Sequence, residues 1–64
     1  MLTVDEWRRA RNITKKDMAN LLGISVPTYN TFEENPSKMS VGMAMKICEI
    51  LQVKFEAVNF FKNE

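Results

Sequence analysis

Apolar residues recur along this chain at intervals of three and four positions, the spacing that places them on one face of an α-helix. The widest stripe lies between residues 43 and 51 and contains Met43, Ala44, Ile47, Ile50 and Leu51. No segment alternates apolar and polar residues for long enough to predict a β-strand. The pattern therefore predicts an all-α fold with five helices, over residues 3–11, 15–22, 26–34, 41–51 and 54–61.

Hydroxyl residues mark where the first four of these helices begin. Thr3 is followed three residues later by Glu6, which is the capping-box pattern. Three more hydroxyl residues stand just before an apolar-periodic stretch and can accept a hydrogen bond from a free helical N–H: Thr14, Ser25 and Ser40. The fifth start, near residues 53–54, is weaker.

Only Gly23-Ile24-Ser25 separates the second predicted helix from the third. Two short helices joined by a brief turn that contains glycine form a helix-turn-helix. Gly23 stands where the chain must turn with a positive φ, which costs little only for glycine. Ala19 is small, so we expect it where the two helices approach most closely. The apolar residues of this unit that we expect to face the core are Met18, Leu22, Ile24, Tyr29 and Phe32.

In these features the chain resembles the Cro/phage-repressor family of XRE-type helix-turn-helix domains. The matching segments are residues 14–25, Tyr29, residues 32–33 and residues 40–53. The resemblance runs from Trp7 to Val58 and implies a compact, five-helix, lambda-repressor-like domain whose third helix enters the major groove of double-stranded DNA. The length of the chain predicts a single domain over residues 1–64. It also implies an ion pair between Arg8 on the first helix and Glu33 near the end of the third.

The resemblance assigns base reading to four positions on the third helix: Val26, Pro27, Asn30 and Thr31. Asparagine can make a bidentate contact to adenine, and the apolar surfaces of Val, Pro and Thr suit the methyl group of thymine. Residues 7–16 carry five positive charges and no negative one, which favours phosphate contacts beside that helix. The predicted phosphate contacts are Arg9, Arg11, Lys15, Lys16, Thr28 and Lys38.

Composition argues against several other classes of function. The chain has no histidine and a single cysteine, so we expect no His-based catalysis, no metal site and no internal disulfide. We expect no enzyme, no cofactor and no small-molecule ligand. No apolar run is long enough to span a bilayer, so we expect no membrane partner. Cys48 is interpreted as a small buried hydrophobe, and a free thiol fits a cytoplasmic protein.

The sequence therefore predicts a Cro-like transcription regulator that represses by occupying operator DNA as a homodimer. The C-terminal third holds more apolar surface than a small core needs, which favours a dimer interface there. The alternative is that its aromatic residues close the core of the monomer, since a small domain needs every large side chain. The residues predicted to form it are Met43, Phe55, Ala57, Phe60 and Phe61.

A second hypothesis stays open, namely a protein-interaction module on the same scaffold, such as an antitoxin. The net charge is only +1, and the third predicted helix carries no Lys or Arg. Glu34 also places a negative charge where the following loop would approach phosphates. Binding to random-sequence DNA at low salt would separate the two hypotheses, because phosphate contacts make affinity depend on salt.

Overall fold

The computed structural model describes residues 1–60, and in this range four α-helices form most of the structure. The elements in chain order are β1 (Leu2–Thr3), α1 (Val4–Ala10), α2 (Lys15–Leu22), α3 (Val26–Glu34), a 3-10 turn (Pro36–Lys38), α4 (Val41–Leu51), a second 3-10 turn (Phe55–Ala57) and β2 (Val58–Asn59). Strands β1 and β2 pair in parallel, with Leu2 opposite Val58. None of the helices in this range has the length and apolarity needed to cross a membrane.

The four predicted helix starts are confirmed. At α1 the Thr3 hydroxyl accepts from the N–H of Glu6, and the Glu6 carboxylate accepts from the N–H of Thr3, which completes the capping box. The hydroxyls of Thr14, Ser25 and Ser40 each accept from the backbone N–H three residues further on. These short side chains satisfy donors that a helix leaves free at its first turn.

Three helices end on a residue with left-handed backbone angles: Asn12 after α1 (φ 58°), Gly23 after α2 (φ 73°) and Gln52 after α4 (φ 59°). In each case the next residue is an Ile or Val that donates its N–H to a carbonyl of the last turn, at 3.0–3.1 Å, and packs against the core. The positive φ predicted at Gly23 is confirmed. The left-handed angles of Asn12 and Gln52 were not predicted from the sequence.

The fifth helix predicted over residues 54–61 is wrong for its described part, which forms a 3-10 turn and β2. The carbonyl of Ala57 accepts a hydrogen bond of 3.1 Å from the indole Nε1 of Trp7, which ties this segment to α1. An eight-residue helix has little intrinsic stability, whereas the strand arrangement buries Val58. The expectation of no strand is also wrong. It failed because a strand of two residues is too short to show an alternation of apolar and polar positions.

The core lies among the four helices and β2. Its buried apolar residues are Val4, Met18, Ala19, Leu22, Tyr29, Ala44, Ile47, Cys48, Leu51 and Val58. Cys48 is buried as expected. Its burial raises the pKa of its thiol, and the negative charge of Glu56 makes a smaller contribution in the same direction. Ile24 and Phe32 are only half-buried. Two charged residues, Arg8 and Glu33, are also buried, and they connect α1 to α3.

Candidate nucleic-acid interface

The four predicted base-reading residues share one side of α3, because positions 26, 27, 30 and 31 are one turn apart in pairs. Val26, Pro27 and Thr31 are exposed, and Asn30 is half-buried. Pro27 lies in the first turn, where a missing N–H costs nothing. The hydroxyl of Thr31 donates to the carbonyl of Pro27 at 3.1 Å, which leaves the Thr31 methyl group free to make apolar contacts. The face is thus accessible and carries both polar and apolar groups.

Asn30 is held between two charged side chains. The ammonium Nζ of Lys15, at the start of α2, donates to Asn30 Oδ1 at 2.6 Å. Asn30 Nδ2 in turn donates to a carboxylate oxygen of Glu34, one turn further along α3, at 3.2 Å. The structure therefore brings a predicted phosphate contact, Lys15, directly to a predicted base-reading residue. We call these three side chains the outer network.

Four of the other predicted phosphate contacts lie at the surface. Lys16, Thr28 and Lys38 are exposed. Arg9 is exposed as well, and its Nε donates to Asp5 at 3.1 Å. The exposure of these four side chains agrees with the predicted contact with DNA phosphates.

Arg11 is engaged away from α2 and α3. Its Nε donates to the carbonyl of Leu51 at 2.8 Å, and its guanidinium lies 5.1 Å from the centre of the Trp7 ring. A cation at the C-terminal end of α4 also interacts favourably with the helix dipole. These contacts give Arg11 a structural function between α1 and α4, whereas its contact with phosphate stays a prediction.

A second charged group lies beneath the helix-turn-helix. Arg8 Nε donates to Glu33 at 2.7 Å, so the predicted ion pair is formed. The other guanidinium nitrogens donate to the carbonyl of Ile13 at 2.8 Å and to Asp5 at 2.7 Å. The hydroxyl of Tyr29 donates to the same Glu33 oxygen as Arg8. We call these groups the inner network, and in it each of the three guanidinium nitrogens of Arg8 has an acceptor.

The inner network shifts the titration of its members. Burial raises the pKa of Tyr29 far above its ordinary value near 10, and the hydrogen bond to Glu33 and its negative charge add to the rise. Burial alone would lower the pKa of Arg8, but the hydrogen bond and charge of Glu33 outweigh it and raise that pKa. Tyr29 is therefore a proton donor, and Arg8 a cation, at any physiological pH.

The predicted dimer residues are only partly exposed. Phe55 exposes 46% of its surface and stacks on Phe60, with ring centres 4.9 Å apart. Met43 and Ala57 are half-buried, and Phe61 lies outside the described residues. The structure adds two exposed residues of α4 that sequence reasoning missed, Val41 and Met45. Shallow grooves of about 430 and 300 Å³ lie on either side of Phe55.

Apart from the Arg8–Glu33 pair, the contacts within the two networks were not predicted from the sequence. Asp5 lies three residues before Arg8, and Glu34 lies four residues after Asn30, spacings that bring side chains together on a helix. That signal was present in the sequence. Nothing local indicates that Lys15 meets Asn30, since the two lie on different helices.

Comparison with known proteins identifies the scaffold. A helix-turn-helix family model matches residues 4–58, from the first residue of α1 to the first of β2. No curated protein and no solved structure matches the chain. The matched range contains all four helices, the glycine turn between α2 and α3, and both charged networks. The chain therefore belongs to the Cro/C1-type helix-turn-helix family, a family of DNA-binding regulators that are typically not enzymes.

Proposed function

We propose that this protein is a sequence-specific transcription regulator that acts as a Cro-like repressor by occupying operator DNA as a dimer. The observation that carries the proposal is the accessible face of α3, with Asn30 at its centre and Lys15 bonded to it from α2. A helix of this size fits the major groove, where each base pair presents a distinct set of donors, acceptors and methyl groups.

Different side chains supply affinity and specificity in this proposal. Asn30 reads adenine through its amide, while Val26 and Thr31 contact a thymine methyl group. The phosphates are contacted by a set of side chains whose contribution does not depend on sequence: Arg9, Lys15, Lys16, Thr28 and Lys38. Repression follows from occupancy, because a bound protein covers DNA that polymerase needs.

Dimerisation is part of the proposal because one small domain reads only a few base pairs. A two-fold dimer doubles the contacts and sets the half-site spacing. The exposed Phe55 ring, with the exposed Val41 and Met45 on α4, supports an interface on this side of the molecule. The proposed interface centres on the exposed Phe55, with smaller contributions from the half-buried Met43, Ala57 and Phe60. Phe61 lies outside the described residues, and its place in the proposed interface rests on the sequence alone.

Selection of bound sites from a random DNA pool tests this function. We expect a palindromic site with half-sites about 10 base pairs apart and affinity that falls steeply as salt rises. Asn30→Ala should lose the preference for one base pair in each half-site while still binding random DNA. Failure to enrich any site, together with no binding to DNA at low salt, would reject the proposal.

A protein-interaction module remains the second candidate function, and one observation favours it. Val41, Met45 and Phe55 expose 70%, 56% and 46% of their surfaces, which is a sizeable apolar area for so small a domain. A partner protein that covers this area would act without DNA. Sedimentation of the pure protein separates the two, because the DNA-binding proposal expects the chain itself to dimerise on this surface.

A further inference from the structure

The orientation of the Asn30 side-chain amide is set by charges on both sides. Its oxygen faces the ammonium group of Lys15 at 2.6 Å, and its nitrogen faces the carboxylate of Glu34 at 3.2 Å. Rotation of the amide by half a turn would place the NH2 group against a cation and the oxygen against an anion. Both contacts would then be repulsive, so the observed orientation is favoured over the rotated one.

The amide keeps the groups that base recognition needs. An amide oxygen has two lone pairs and an amide nitrogen carries two hydrogens. Lys15 uses one lone pair and Glu34 uses one hydrogen, so one acceptor and one donor remain on Asn30. This acceptor–donor pair is what a bidentate contact to adenine N6 and N7 requires. The number of free groups on Asn30 thus suffices for reading adenine while the outer network stays intact.

From this geometry we infer that Glu34 is a positioning residue for specificity, which acts through Asn30 and selects adenine at the base pair that Asn30 reads. The inference rests on the proposed function of α3 as the recognition helix. Glu34 is the last residue of α3 and is exposed. Its negative charge weakens binding to phosphates in general, yet it stabilises the amide orientation that makes binding selective.

This double effect separates Glu34 from an ordinary surface carboxylate. Removal of its charge should raise affinity for random DNA, because the charge repels phosphates. Removal of its hydrogen-bond acceptor should lower discrimination at one base pair only. Two substitutions distinguish the effects, since Glu34→Gln removes the charge and keeps an acceptor oxygen, while Glu34→Ala removes both.

The experiment measures binding of the full chain to its selected site, to the same site with the adenine replaced by each other base, and to random DNA. The wild type should prefer adenine by about tenfold or more, as a good bidentate contact does. Glu34→Ala should lower this preference to about twofold and raise random-DNA affinity. Glu34→Gln should raise random-DNA affinity equally and keep most of the preference.

The side-chain amide signals of Asn30 in NMR spectra provide a readout without DNA. We expect them to shift in Glu34→Ala and to stay near their wild-type positions in Glu34→Gln. Thermal melting should be almost the same for all three proteins, which excludes a general loss of structure as the cause.

The inference is overturned if Glu34→Ala keeps the wild-type preference for adenine, or if Glu34→Gln loses it as fully as Glu34→Ala. Asn30→Ala distinguishes this failure from failure of the proposed function. If Asn30→Ala loses the preference while Glu34→Ala keeps it, only the role of Glu34 is wrong. If Asn30→Ala behaves like the wild type, base reading by Asn30 is itself wrong.

Discussion

Glu33 and Glu34 are neighbours in the sequence, yet they belong to two networks with different physics. Glu33 is buried and accepts from Arg8 and Tyr29. Glu34 is exposed and accepts from Asn30. Consecutive residues on a helix point about 100° apart, so one turns inward and the other toward the surface proposed to meet DNA. The same type of side chain thus belongs to a buried charged network at one position and, in our proposal, orients a base-reading residue at the next.

The two carboxylates differ in whether water can solvate them once their partner is removed. A buried charge that loses its partner keeps its desolvation cost, so removal of one member of a buried pair is expensive. An exposed group that loses its partner is hydrated at once, and such pairs contribute little to stability. We therefore expect substitutions in the inner network to change folding and substitutions in the outer network to change DNA binding.

The largest effect is expected at the buried pair. Arg8→Met and Glu33→Gln should each lower the free energy of unfolding by about 3 kcal/mol, because the remaining partner is left without its counter-charge. Thermal or urea unfolding measures the change. Glu34→Gln, the neighbouring carboxylate with the same substitution, is the matched control and should shift stability by less than about 0.5 kcal/mol. Equal effects at positions 33 and 34 would contradict the comparison.

The next effect is on binding and should leave folding intact. Asn30→Ala is expected to weaken binding to the preferred site by about 1–3 kcal/mol and to change random-DNA binding little. Alanine favours helices, so the melting temperature should not fall. Titration with both DNAs and a melting curve test this, and similar losses on the two DNAs would remove Asn30 from base recognition.

A smaller effect of the inner network should appear at alkaline pH. Because the pKa of Tyr29 is raised in the folded state, the unfolded chain loses this proton first once pH exceeds about 10. The contribution of Tyr29 to the free energy of unfolding is thus fully present below pH 10 and decreases above it, by about 1 kcal/mol per pH unit. Tyr29→Phe should remove this slope from the pH dependence of unfolding.

Absorbance gives a direct check on that expectation, because Tyr29 is the only tyrosine of the chain. The folded protein should show no tyrosinate absorbance near pH 10, and the signal should appear together with unfolding. Titration of a still-folded protein near pH 10 would show that the hydroxyl is not held in the inner network.

The smallest effect is expected at Lys15. Lys15→Ala should weaken binding to specific and random DNA and reduce the salt slope by about one, as loss of one phosphate contact does. Stability should change by no more than a few tenths of a kcal/mol, because the side chain is exposed. Binding isotherms at several salt concentrations measure the slope, and an unchanged slope would show that Lys15 does not contact phosphate.

Much of the scaffold could be predicted because its determinants are local. A cap such as Thr14 acts on a residue three positions away, and Gly23 favours a positive φ through its own lack of a side chain. The Arg8–Glu33 pair was predicted only from the family resemblance, since no local rule joins residues so far apart. The left-handed residue at Gln52 was missed because glutamine carries no intrinsic preference for that conformation.

The sequence by itself thus determined four helices, the hydroxyl residues that cap them and the turn between α2 and α3, because each depends on contacts within three or four residues. Only the tertiary structure decided that residues 55–59 form a turn and a strand, since the Ala57 carbonyl is bound by Trp7, 50 positions earlier. It also decided that Lys15 meets Asn30 and that Arg11 meets Leu51. Such contacts depend on how helices pack, and packing is settled by the whole core rather than by any one segment.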